Sequence, residues 1–154
     1  MKVIFLDIDG VLNCSTSKSG CGYYTGIDHD KLARLKYIVE CTGAKIVLCS
    51  SWKEQWFRQP LKDLQDESAN YLDRKFRRER LTIMDKTEDH VDDRGAGILK
   101  WKEKLCIESF VILDDELFDY EETGLIPYLV KTDYENGGLQ DIHAEQAIAI
   151  LNSI

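Results

Sequence analysis

The chain has 154 residues, 44% of them hydrophobic and 31% charged, a length and balance suited to one globular domain with its own core. A net charge of −8 argues against general affinity for nucleic acid or anionic membrane. No apolar run approaches the ~20 residues of a membrane span, and the N-terminus lacks a signal-peptide pattern, so a cytoplasmic protein is expected.

In chain order, residues 3–6 form a short run of β-branched and aromatic side chains that reads as a strand buried on both faces, closed by Asp7-Ile8-Asp9-Gly10. Residues 13–26, rich in Ser, Gly, Thr and Lys with Tyr23 and Tyr24 among them, read as a loop or short flap. Asp28 or Asp30 is expected to cap a helix with Leu32, Leu35, Ile38 and Val39 on one face and Gly43 at its C-terminus. A second buried strand over 44–49 gives way to Ser50-Ser51-Trp52. A helix is expected over 51–60 carrying Trp52, Trp56 and Phe57, then a polar helix-prone stretch to residue 80. Five of the seven residues at 74–80 are cationic; with a net negative chain they read as a solvated helix face rather than a nucleic-acid patch.

Residues 81–84 suggest a third strand and 85–93 a charged loop. Arg94-Gly95 opens a helix carrying Ile98, Leu99, Trp101, Lys102 and Leu105, and residues 109–113 form a buried strand that stops at Asp114-Asp115-Glu116. A strand over 126–130 and a helix over 139–151 finish the chain. This alternation predicts one domain over 1–154, a doubly wound (Rossmann-like) parallel sheet in three α/β/α layers. The five cysteines, an odd count without a Cys-x-x-Cys pair, read as reduced and mostly buried. The three tryptophans read as core, and His29, His90 and His143 as surface residues without ligand spacing.

Three strands therefore end in residues fit for phosphate chemistry: Asp7 and Asp9, Ser50, and Asp114 with Asp115. A parallel sheet gathers strand ends at one edge, where α/β ligands bind. If the first strand is central, four carboxylates converge, and such crowding calls for a hard cation such as Mg²⁺.

These residues, in this order and these strand contexts, resemble the haloacid dehalogenase-like phosphohydrolases in a short form. Asp7-Ile8-Asp9-Gly10-Val11 matches the family's first motif, Ser50 the second, and Asp114-Asp115 the acidic fourth. Arg94 and Lys100 both fit the third, a cation near the helix before the fourth motif; Arg94 is favoured because a helix N-terminus sits nearer the active edge. The resemblance implies Asp7 as nucleophile and Asp9 as general acid and base. It implies Ser50 with Arg94 or Lys100 on the phosphoryl oxygens, and Mg²⁺ held by Asp7, the Asp9 carbonyl and Asp114 or Asp115. About 40 residues separate Asp9 from Ser50 and about as many separate Ser50 from Arg94, which leaves no room for a separate cap domain. An open site suits a bulky phosphate, a nucleic-acid end, or a partner protein that completes it. Two other classes share such an edge: a phospho-acceptor signalling module and a non-catalytic binding domain. The first usually carries its acidic pair and its acceptor on separate strands, unlike Asp7 and Asp9 here.

Overall fold

The computed structural model describes residues 1–88 and 93–153. Its elements in order are β1 (Lys2–Leu6), β2 (Gly20–Cys21), β3 (Tyr24–Thr25), α1 (His29–Thr42), β4 (Lys45–Leu48), α2 (Glu67–Arg78), β5 (Ile83–Lys86), α3 (Arg94–Lys102), β6 (Ser109–Asp114), β7 (Leu129–Lys131) and α4 (Asp141–Asn152). Five strands form one parallel sheet in the order β5-β4-β1-β6-β7, so β1 is central; β2 and β3 pair antiparallel as a separate hairpin.

Strand alternation explains the layers. Ile4 and Leu6 of β1, Ile46 and Leu48 of β4, and Val111 and Leu113 of β6 face one core with Leu35 and Ile38 of α1, Leu72 and Phe76 of α2 and Ala147 and Leu151 of α4. Val3, Phe5, Val47, Phe110 and Ile112 face the other, with Ile98 and Trp101 of α3. A period of two with both faces apolar leaves polar residues only at the ends of the central strands, which is why their middles read as continuous apolar runs. Helices cover both faces, three on one and one on the other.

Register then aligns the edge. Leu6 is level with Leu48 on one side and Leu113 on the other, so Asp7 and Asp114 are level and Ser50 lies just beyond β4. Between β1 and α1 the chain places the β2–β3 hairpin, the expected flap, in place of a folded cap. Gly43 takes the left-handed conformation (φ 71°) expected of a helix-ending glycine.

Several boundaries differ from the sequence reading. Residues 51–60 do not form an α-helix: Ser51–Gln55 is a 3₁₀ turn, capped by the Ser50 hydroxyl, which accepts from the Trp52 amide at 3.2 Å. Carboxylates hold the two indoles of this segment separately, Trp52 on Asp9 and Trp56 on Asp73, which the turn accommodates. The third strand runs later than expected because Asp85 and Lys86 have partners at the sheet edge. Asp85 accepts from Trp101 Nε1 at 2.8 Å, and Lys86 donates to the Lys53 carbonyl at 2.8 Å. Ile126–Tyr128 is a 3₁₀ turn, with Pro127 inside it, and only Leu129–Lys131 pairs. His143 is no idle surface residue, since its Nδ1 accepts from the Gln140 amide at the start of α4. His90 and its neighbours over 89–92 in the expected 85–93 loop lie outside the described residues. All five cysteines are free thiols, three buried and two exposed. No described helix is long and apolar enough to cross a membrane.

Candidate active site

The Asp7 backbone amide donates to the Leu113 carbonyl at 2.9 Å, continuing the sheet one step past β1. That step carries the Asp7 side chain to the C-terminal edge, where it is buried. One carboxylate oxygen from each of Asp7, Asp114 and Asp115 falls within 4.8 Å of the others. Three carboxylates thus converge, not four. The Asp9 side chain is exposed and has other partners: Oδ1 accepts from Asn13 Nδ2 at 2.9 Å and Oδ2 from Trp52 Nε1 at 3.1 Å.

The loop after Asp9 is fastened from several directions. Asn13, fully buried, accepts from the Gly10 amide with its Oδ1 and donates to the Gly26 carbonyl under the hairpin. Thr132, just past β7, donates to the Gly10 carbonyl at 2.6 Å. Gly10 has φ +83°, and a Cβ there would collide with the Asp115 carboxylate. Both facts demand glycine. Gly10→Ala is therefore expected to displace Asp115 and to lower kcat/KM by about 100-fold, since misplacement by an ångström costs that much. Steady-state kinetics beside a circular dichroism spectrum check it.

Arg94 is a buried cation of this edge. Its Nη1 lies 3.1 Å from Asp7 Oδ1 and 2.7 Å from Asp114 Oδ2, and its guanidinium lies over the Phe118 ring. The Arg94 position depends on the start of α3. There the Gly95 and Ala96 amides donate to the Asp119 carboxylate at 2.6 and 3.0 Å, and Gly95 packs where a Cβ would strike Thr123. Lys100 is not brought to the site. It is exposed, six residues along α3 and about 9 Å further down the helix axis, in keeping with the preference for Arg94 at the helix N-terminus.

Asp114 accepts from three donors: Oδ2 takes Arg94 and the Tyr120 hydroxyl (2.8 Å), and Oδ1 takes the Glu116 amide (3.1 Å). Asp115, half-buried, faces Asp7 and pairs with no lysine or arginine among the described residues. Ser50 is fully buried at the end of β4, and its O–H has no acceptor among the described residues. Lys53, also buried, donates to Thr87 Oγ1 at 2.9 Å on the β5 side of the same edge.

The electrostatics follow from this crowding. Burial, then the Asp114 carboxylate, push the Asp7 carboxyl well above its ordinary range, while Arg94 pulls it back. Burial and Asp114 raise Asp115 from 3.8 to about 6. Burial opposes the charge on Arg94, but Asp7 and Asp114 outweigh it and hold the guanidinium protonated. Hard oxygen donors, close together and short of positive charge, are a donor set that fits Mg²⁺.

Because Asp115 holds its proton more tightly when folded, this group binds more proton in the native state than in the unfolded chain between about pH 4 and 6. Its contribution to stability is thus lost as pH rises through that window. In EDTA the melting temperature is expected to fall from pH 4.5 to pH 7, and Mg²⁺ is expected to raise it more at pH 7 than at pH 4.5. Differential scanning calorimetry reads both.

Sequence reasoning does not reach Asn13, Asp119, Tyr120, Phe118 or Lys53. Asn13, four residues after Asp9 and three after a glycine, carries a local signal as a loop-fastening residue; so does Lys53, a cation three residues after Ser50. Asp119 and Tyr120 act across the fold and carry none.

A central parallel strand closed by a nucleophile-type aspartate, flanked by a hydroxyl strand end and an acidic strand end, is the architecture of the haloacid dehalogenase-like phosphohydrolases in their short form. A family model described as the HAD domain in Swiss Army Knife RNA repair proteins matches residues 3–144, and the chain belongs to that family. No curated protein and no solved structure gave a match.

Proposed function

We propose that this domain is a Mg²⁺-dependent phosphomonoesterase that works through an aspartyl-phosphate on Asp7, with a nucleic-acid end as its substrate. The observation that carries the reading is Asp7 itself, buried at the sheet edge and close at once to Asp114, Asp115 and Arg94.

A carboxylate oxygen of Asp7 attacks phosphorus and the ester P–O bond breaks. Asp9 gives its proton to the departing alkoxide. Asp9 then takes a proton from water, whose oxygen attacks phosphorus and releases inorganic phosphate, restoring the Asp7 carboxylate. Asn13 and Trp52 hold Asp9 for both transfers. Ser50 supplies an unclaimed O–H for a phosphoryl oxygen, and Arg94 balances charge on Asp7 as the phosphoryl group arrives. Asp7, Asp115 and the Asp9 carbonyl would hold Mg²⁺, with Asp114 steadying Arg94 beside them; the bound ion supplies positive charge between nucleophile and phosphate. Asp115 is preferred over Asp114 as direct ligand because the Asp114 oxygens already serve three donors.

The nucleic-acid reading draws on the family's description, which names RNA repair proteins, and on a site edged by a two-stranded hairpin rather than a cap. The 74–80 cluster stands at the far end of α2. Arg74 reaches back to pair with Glu67 at the helix start, and Glu79 pairs with His29 and Lys36. Its helical members lie about 9 to 15 Å along the axis from Ser68 in the first turn, so they would meet the strand and not its end.

The test is a turnover screen with Mg²⁺ or EDTA across sugar phosphates, nucleotides and oligonucleotides phosphorylated at either end. Mg²⁺-dependent phosphate release, fastest on oligonucleotides, supports the reading. A stable phosphoprotein without turnover would make the chain a phospho-acceptor module instead.

A further inference from the structure

We propose that the cavity between the flap and the turn after β4 holds the nucleobase next to the scissile phosphate, stacked on Tyr24 and offering its exocyclic amine to Glu54. The proposal rests on the phosphatase reading above and deepens it. The cavity is about 290 Å³, at the small end of ligand cavities. Asp9, Tyr24, Trp52, Glu54, Gln55 and Asp66 line it together with two serines, and among the described residues no lysine, arginine or histidine does. A phosphate has no counter-charge there, so the cavity serves the other part of the substrate.

Position agrees with this. Asp9 is the group that hands a proton to the ester oxygen, so the organic part of the substrate begins at Asp9, and Asp9 is a wall of this cavity. Tyr24 is 62% exposed, with its ring centroid 6.0 Å from that of Trp52. Trp52 is itself fixed by its bond to Asp9 and by its contact with Tyr71, with ring centroids 6.4 Å apart. An aromatic side chain offered beside a fixed indole suits a flat base, and base stacking is tolerant of sequence.

The acidic lining adds a preference. Asp66 is occupied in capping α2 through the Ala69 amide and in accepting from the Ser68 hydroxyl. Glu54 is exposed and accepts no hydrogen bond among the described residues. A carboxylate acceptor rewards a base that carries an amino group, as adenine, cytosine and guanine do, and finds no such donor on uracil.

The experiment measures kcat/KM on 5′- and 3′-phosphorylated dinucleotides carrying A, C, G or U beside the phosphate, with glycerol phosphate as the baseless reference and phosphocholine as a cationic one. Wild type is expected to favour A, C and G over U by about tenfold. Tyr24→Ala is expected to lower the ratio of dinucleotide to glycerol phosphate turnover by between about fivefold and 150-fold. Tyr23→Ala, at the hairpin tip and outside the cavity lining, leaves that ratio in place. A proportional loss on every substrate, an equal effect of Tyr23→Ala, equal rates for all four bases, or a preference for phosphocholine would each overturn the proposal. Should no phosphate be released from any substrate, the phosphatase reading fails while the cavity is still judged. Saturation-transfer NMR with adenosine and uridine needs no turnover: an adenosine signal that vanishes in Tyr24→Ala sustains the base site, and the lack of one in wild type refutes it.

Discussion

Asp7→Asn is expected to lower phosphatase kcat by on the order of 10⁴-fold or more, since the nucleophile is gone and no other carboxylate takes its place at the end of β1. The same variant is expected to fold, and in EDTA near pH 7 to melt higher than the wild type. Burial and Asp114 hold the Asp7 carboxyl above its ordinary value, so the folded state keeps this proton longer than the unfolded chain does. Stability is therefore lost as pH rises through that interval, and neutral Asn escapes the loss. Its amide oxygen still faces Arg94. A drop in activity with a rise in melting temperature separates a role in chemistry from a role in folding, and paired kinetics and calorimetry read it. A variant that loses both would place Asp7 among the supports of the fold.

Arg94→Ala carries the second large effect, with the opposite sign on stability. The guanidinium is the cation facing both Asp7 and Asp114, at 3.1 and 2.7 Å, and all three groups are buried. Removing one side of a buried ionic cluster leaves the other uncompensated, at about 3–5 kcal/mol. Catalysis should fall by about 10²–10³-fold through loss of charge stabilisation at the reacting edge. Denaturant unfolding in EDTA is expected to show a smaller destabilisation at pH 4.5 than at pH 7.5, because without Arg94 the Asp7 carboxyl takes up its proton more readily at the lower pH and leaves less charge uncompensated. Arg94→Lys keeps the charge but not the planar fork, and should recover only part of both losses.

What can be read from the chain alone is whatever depends on neighbours in sequence. The apolar runs at 3–6, 44–49 and 109–113 announce strands buried on both faces. Once they are parallel and β1 is central, register alone brings Asp7 level with Asp114. The preference for Arg94 over Lys100 is legible for the same reason, since a helix has one end at the active edge. The helix expected over 51–60 fails because its aromatics are fixed by distant carboxylates. Trp52 reaches Asp9 and Trp56 reaches Asp73, pairings that periodicity does not encode. The convergence of four carboxylates fails similarly: Asp9 is drawn aside by Asn13 and Trp52, one local partner and one remote. Asp119 and Tyr120 are beyond the reach of sequence patterns. Their roles exist only because the segment after β6 folds back under α3, tying its first turn and the Asp114 carboxylate together.

The central claim is that a phosphoryl group passes through the carboxylate at the end of β1. Rapid acid quench during turnover of a ³²P-phosphorylated oligonucleotide, followed by peptide mapping, tests it most directly. The account predicts transient, hydroxylamine-labile label on Asp7 that is absent from Asp7→Asn; turnover with no labelled protein, or label on any other residue, would contradict it.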